Sequence, residues 1–242
     1  VPSIKANGIS IYYEIHGQGE PLVLIGGLSL DVSEIEWMIR GFSQKYQVVA
    51  FDNLGAGRTD KPDTPYSIEM MAEDTAGLLN ALGVAHAHVL GISMGGRIAI
   101  ALTLKHPEVV RSLTLVSTSA RMPLRRTRLW SLSNLIIRIP WVRRIGTKYP
   151  QPYYAFVRQR EASRGYDATR RLDEILVPTL ILHGRKDRMA PYELAEEMHR
   201  GIVGSSMTTF DGGHPFLFSK QEEFLGSMSR FLEKQLPSLL ST

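Results

Sequence analysis

Short apolar runs alternate along the chain with longer segments whose apolar positions recur at helical spacing. The short runs are Ile9–His16, Pro21–Ile25, Gln47–Asp52, Ala87–Gly91, Ser112–Thr118, Pro178–His183 and Ser205–Phe210. Within them LVLI, VVAF, LTLV and TLIL are almost wholly apolar, the pattern of strands covered on both faces. Ile9–His16 is more alternating and reads as an antiparallel edge strand. Helical segments lie between. Ser33 with Glu36 forms a capping box ahead of Trp37 and Met38. Ser67 precedes IEMMAEDTAGLLNAL, and Pro191 suits the first turn of PYELAEEMHR. Ser219 with Glu222 forms a second capping box, opening a final helix that Pro237 ends. The alternation predicts an α/β sheet. One interval breaks the rhythm: roughly 60 residues separate the strand ending at Thr118 from the strand at Thr179–His183, far beyond a usual connection. It predicts a helical insertion over one edge of the sheet, residues 121–174, interrupting a core made of residues 1–120 and 175–242.

Composition narrows the chemistry. The chain has 242 residues, 43% apolar and 21% charged, ordinary for a globular protein large enough to bury a core without cross-links. Cysteine is absent, which excludes disulfides, iron–sulfur clusters and thiolate zinc sites. The opening VPSIKANG has neither the charged nor the apolar stretch of a signal peptide, and no apolar run approaches the roughly 20 residues that span a bilayer. No N-x-S/T sequon occurs, and the expected address is cytoplasmic.

Charge is unevenly spread. The net charge is +4, yet residues 121–171 hold thirteen Lys and Arg against two acids, a balance of +11 that leaves −7 for the rest. The same stretch carries Trp130, Trp141, Tyr149, Tyr153, Tyr154 and Phe156. One reading is a solvated helical surface whose arginines snorkel over apolar neighbours. The sharper one is a surface, with Arg125, Arg126, Arg128, Arg143 and Arg144, that attracts an anion: an acidic substrate, an acidic carrier protein or a lipid headgroup. Nucleic acid is disfavoured because no nucleic-acid motif accompanies the charge.

The candidate chemistry starts at Gly91-Ile92-Ser93-Met94-Gly95, a G-x-S-x-G between an apolar strand and a helical segment. A strand that turns sharply into a helix strains the middle residue and lifts its side chain clear, and flanking glycines let strand and helix approach. The helix N-terminus then sets backbone N–H groups where negative charge would develop. A serine hydroxyl needs a base and a group to hold that base. Of seven histidines, His214 stands out, because Asp211-Gly212-Gly213-His214-Pro215-Phe216 is a flexible loop following the last strand, at the edge where open α/β sheets bind ligands. His16, His86, His88, His106 and His183 fall in turns, strands or a helix end, and His199 on a polar helix face. Asp187 leaves the strand TLIL at the same edge, whereas the strand ending Val116-Ser117-Thr118-Ser119 offers no carboxylate. Asp52 reads as a turn residue bonding the loop Asn53–Gly57. The order Ser93, Asp187, His214 is the one expected of a nucleophile elbow. Oxyanion donors are expected at the Met94 N–H and, from the Gly26-Gly27-Leu28 loop, at the Leu28 N–H.

Together GISMGG, DNLGAGRTDKP, HGRKD and GGHPF resemble the α/β-hydrolase family, in the branch of small carboxylesterases, enol-lactonases, carbon–carbon bond hydrolases and cofactor-free perhydrolases. The resemblance runs over most of the chain and is weak only in the insertion, which resembles the family's lid. Gly26-Gly27 stands where many relatives have His-Gly, and Leu54 where arginine is usual. The resemblance implies a mostly parallel, eight-stranded sheet with helices on both faces, a short helical lid, no cofactor, and hydrolysis of a small-molecule ester or lactone through an acyl-serine. Carbon–carbon hydrolysis, perhydrolysis and a non-catalytic ligand receptor on the same scaffold are the rival readings. Gly55-Ala56-Gly57 is discounted as a dinucleotide fingerprint, since Asp60 stands at the third glycine position, and no H-E-x-x-H or clustered ligand set suggests a metal. Serine at the elbow argues against dehalogenase and epoxide hydrolase chemistry, which use aspartate there.

Overall fold

The computed structural model describes residues 2–123 and 148–235. Its strands are β1 (Ser3–Ala6), β2 (Ile9–His16), β3 (Pro21–Ile25), β4 (Gln47–Phe51), β5 (Ala87–Ile92), β6 (Val110–Val116), β7 (Thr179–Gly184) and β8 (Ser206–Phe210). They form one eight-stranded sheet in the order β1-β2-β4-β3-β5-β6-β7-β8. From β4 to β8 every pairing is parallel, while β2 runs antiparallel to both β1 and β4. The helices are α1 (Glu36–Phe42), α2 (Ile68–Ala81), α3 (Met94–Lys105), α4 (Tyr153–Gly165), α5 (Tyr192–Gly201), α6 (Phe216–Ser219) and α7 (Gln221–Glu233). None of the described helices is long and apolar enough to cross a membrane.

The apolar strands read as two-faced because they are. Val23, Ile25, Val49, Val89, Leu113 and Ile181 pack into one core with α2 and α3. Their chain neighbours Leu22, Leu24, Val48, Leu90 and Leu182, with Val116 of β6, pack into a second core with α1 and α7. A strand period of two divides one apolar run between two layers, so helices must cover both faces.

Several local expectations shift. β1 is added outside β2, so Ile9–His16 is the second strand rather than the edge. Ser3–Ala6 is only four residues long, and its alternation of exposed Ser3 and Lys5 with more buried Ile4 and Ala6 is too short to announce a strand. β6 ends at Val116 rather than Thr118, because Ser117 turns the chain with φ 46°. The first capping box belongs to Asp31 and Glu34, not Ser33 and Glu36. Asp31 accepts from Ser33 N, Glu34 accepts from Asp31 N, and the turn capped is the 3-10 segment Val32–Ile35. Ser67, just before the helical run, caps α2 by accepting from Met70 N. Pro191 sits one residue before α5 rather than inside it. Ser219 donates to Phe216 O instead of capping α7. Pro237, Trp130, Trp141 and the arginines at 125, 126, 128, 143 and 144 lie outside the described residues.

The described part of the long interval between β6 and β7 holds α4 and a 3-10 segment, Thr169–Glu174. It lies over the carboxyl ends of the strands. Gln159 donates to Leu54 O at 2.7 Å and accepts from Ser29 N at 3.1 Å, and Gln151 donates to Gly55 O at 2.7 Å. Both glutamines are buried.

Candidate active site

β5 turns into α3 at Ser93, whose φ of 54° and ψ of −114° lie outside the regions a serine ordinarily adopts. The turn is held on both sides: Ser93 N donates to Val116 O at 2.9 Å, and Thr118 Oγ1 donates to Ser93 O at 2.6 Å. A Cβ on Gly96 would stand 2.5 Å from Thr118 Oγ1, so this approach of α3 to the loop after β6 favours glycine. Met94 is the first residue of α3, and the N-terminal end of the helix dipole faces the serine.

The structure brings Ser93, Asp187 and His214 together. His214 Nε2 is 3.0 Å from Ser93 Oγ, and His214 Nδ1 is 2.8 Å from Asp187 Oδ2. An ionised carboxylate only accepts, so Nδ1 carries the ring proton and Nε2 is left to receive the serine's. Asp187 is buried, and its Oδ1 accepts from Met189 N at 2.8 Å and Ala190 N at 2.9 Å. These bonds fix the carboxylate against its own turn. The other histidines are engaged elsewhere: His16 with Glu14, His86 with Glu108 O, His88 with Ser112, His106 with Glu73 and His199 with Ser205.

The Gly26–Leu28 loop lies against the serine, a Cβ on Gly27 falling 3.4 Å from Ser93 Cβ. Leu28, Ser93, Met94 and His214 line one cavity of ≈ 60 Å³, together with Arg97 and Met189. With Gly26-Gly27 in place of His-Gly, the loop is braced from outside by Asn53 Nδ2, which donates to Gly26 O at 2.7 Å, and from within by a turn in which Leu30 N donates to Gly27 O at 3.2 Å. Asp52 takes part too. It is wholly buried, accepts from Val32 N at 2.7 Å and Arg58 N at 2.7 Å, and so ties the chain after the Leu28 loop to its own loop. A larger groove of ≈ 660 Å³, lined by Pro178, Gly204, Arg230 and Lys234, lies at the amino ends of the strands and contains none of these groups.

Two supporting residues escaped the sequence reading. His183 is wholly buried, 2.8 Å from Ala190 O and 3.4 Å from Asp187 Oδ2, and burial pushes its pKa down, so it stays neutral beneath the carboxylate. Its spacing of four from Asp187 in HGRKD was the available signal. Ser117 Oγ donates to His214 O at 2.8 Å and holds the histidine loop; nothing in the sequence marks it.

The architecture is that of the α/β-hydrolase fold, and the comparisons with known proteins agree. A family model described as the alpha/beta hydrolase fold matches residues 20–135. Among curated proteins, the one named "Putative carbamate hydrolase RutD" from Azorhizobium caulinodans is 29% identical over 245 residues, covering 89% of this chain and 92% of that protein. The esterase of Exiguobacterium antarcticum superimposes with a TM-score of 0.83 at 26% identity, over 96% of this chain and 98% of that one. The enol-lactonase of Burkholderia xenovorans superimposes with a TM-score of 0.83 at 24% identity, over 96% of this chain and 100% of that one, a likeness of fold.

Proposed function

We propose that this hydrolase cleaves a carboxylic ester or lactone through an acyl-serine. The observation that carries this reading is the unbroken path from Asp187 Oδ2 through the His214 ring to Ser93 Oγ, at 2.8 and 3.0 Å. His214 takes the Ser93 proton as Oγ attacks the carbonyl, Asp187 holds the imidazole in the productive tautomer, and the developing oxyanion is received by the N–H groups of Leu28 and Met94. His214 then protonates the leaving alcohol. Water, activated by the same ring, releases the acid. Each oxyanion donor contributes roughly 3–4 kcal/mol in the transition state. As written, the reaction uses water and these side chains alone.

In this reading residues 121–174 form a lid over a core of residues 1–120 and 175–242. The grip of Gln151 and Gln159 on the loops at Ser29 and Leu54–Gly55 supports it. The esterase and enol-lactonase neighbours support an acyl substrate, and the relative named for carbamates makes a carbamate the first rival substrate to include.

The test is an activity-based fluorophosphonate probe beside a panel of esters, lactones, carbamates and a peroxide assay. The expected result is covalent labelling at Ser93 with ester or lactone turnover, both lost in Ser93→Ala while the melting temperature holds. Folded protein that neither labels nor turns over any panel member would favour a receptor on a hydrolase scaffold. Turnover surviving in Ser93→Ala would end the assignment.

A further inference from the structure

The cavity in front of Ser93 has a charged wall that this chemistry does not use. Arg97 lies four residues after Ser93, in the first turns of α3, and is only 4% exposed. Its guanidinium donates to Ser163 Oγ at 2.8 Å, to Ser119 Oγ at 2.8 Å and to Arg121 O at 3.5 Å, and its Nε has no partner. Every acceptor is neutral. No carboxylate among the described residues pairs with it, and residues 124–147 and 236–242 contain neither Asp nor Glu. Burial alone pushes its pKa down to about 10, the reverse of what a paired guanidinium shows. The fold supplies carboxylates to a half-buried arginine elsewhere: Arg58 lies 3.0 Å from Asp52 and 3.6 Å from Glu14.

A buried cation without a counter-ion is costly unless something else brings the charge. Arg97 lines the cavity that Ser93 and His214 open into. At ≈ 60 Å³ that cavity has room for a group of about four heavy atoms, the size of a carboxylate with its carbon neighbour. A planar guanidinium fork matches the two oxygens of a carboxylate, and a neutral hydroxyl such as Ser163 or Ser119 gives way to one more readily than an acid would.

We infer that Arg97 receives a carboxylate carried by the substrate, so that the molecule cleaved is an ester or lactone bearing an acid group close to the scissile carbonyl. This rests on the acyl-serine reading above. Arg97 is outside the family resemblance that identifies the site, and it lies outside the basic stretch at 121–171.

The experiment compares two matched pairs of substrates: 4-acetoxybenzoate against its methyl ester, with the charge in the leaving group, and monomethyl adipate against methyl 6-oxoheptanoate, with the charge in the acyl part. In at least one pair the wild type should favour the anion in kcat/KM by about tenfold or more, chiefly through KM. Arg97→Gln should bring that ratio close to one. Arg97→Lys should keep part of it, since the charge stays and the fork is lost. Labelling of Ser93 by the neutral fluorophosphonate reports whether each variant retains an assembled site. Should Arg97→Gln not fold, the wild-type ratio and Arg97→Lys carry the test. Equal turnover of charged and neutral members in both pairs by the wild type would overturn the inference while leaving the hydrolase reading in place. So would an Arg97→Gln enzyme that loses both members of a pair alike, which would make Arg97 a tie between α4 and the end of β6. Neither labelling nor turnover of anything by the wild type would instead sink the acyl-serine reading, and this inference with it.

Discussion

Asp74 shows how a single side chain departs from what its fold would prefer. It sits on the buried face of α2, where Asn7 Nδ2 reaches Oδ1 at 3.5 Å and nothing reaches Oδ2. Burial pushes its pKa up from 3.8 to about 6. A carboxyl whose pKa is raised on folding contributes stability below its unfolded value, and that contribution is lost as pH rises through the folded one. Above pH 6 the folded protein therefore carries a poorly partnered charge. Asp74→Asn should raise stability at pH 7–8 by about 1 kcal/mol after allowance for solvent screening, a gain of roughly 2–4 °C in Tm. The difference should shrink to nothing below about pH 4, where the native carboxyl is protonated in both states. Paired thermal melts across that range check it, and a gain independent of pH would mean that charge is not its cause. The strain at Ser93 is of another kind: a non-glycine residue at φ 54° costs of order 1–3 kcal/mol, and Val116 O and Thr118 Oγ1 hold it there.

Between elements, the contact to test is the one from α4 to the loops below it. Gln159 satisfies Ser29 N–H and Leu54 C=O, and neither loop has a regular ladder to take over. Gln159→Ala should destabilise by about 2–3 kcal/mol, the cost of leaving buried polar groups unpaired. It should also lower kcat, since Ser29 follows directly on the Leu28 loop. Urea denaturation with ester kinetics checks both; loss of stability without loss of kcat would separate the glutamine from the chemistry. What the sequence revealed follows the same division. Strands such as Leu22–Ile25 and Leu180–Leu182 were legible because burial on both faces leaves no polar residue to blur them. Ser93, Asp187 and His214 were legible because each follows a strand at one common edge. Caps were misplaced because Asp31, Ser33, Glu34 and Glu36 all suit a helix start, and only backbone geometry selects among them. His183, Ser117, Gln159 and Arg97 were passed over as site residues because their roles depend on partners that only the folded chain brings near, across 97 residues for Ser117 and His214, and 130 for Ser29 and Gln159.

At the scale of the whole molecule, the excess of positive charge has a defined location. Several described cations of the basic stretch are already paired, Arg121 with Glu197, Arg158 with Asp63 and Arg171 with Glu174. Residues 124–147 add six arginines and no acid, so the net +4 of the chain is concentrated in one part of the sequence. A field from exposed charges acts on encounter, and salt removes it: the screening length shrinks from about 30 Å at 0.01 M to about 3 Å at 1 M. A contact to a buried guanidinium is screened far less. The two sources of preference for an anionic ester should therefore separate in one titration. For the anion, kcat/KM should fall severalfold as salt rises over that range, while the neutral member of the pair barely moves. The preference left at high salt should be the part that Arg97→Gln abolishes. A kcat/KM for the anion that ignores salt would assign the basic stretch to solvation alone, with no part in drawing substrate in.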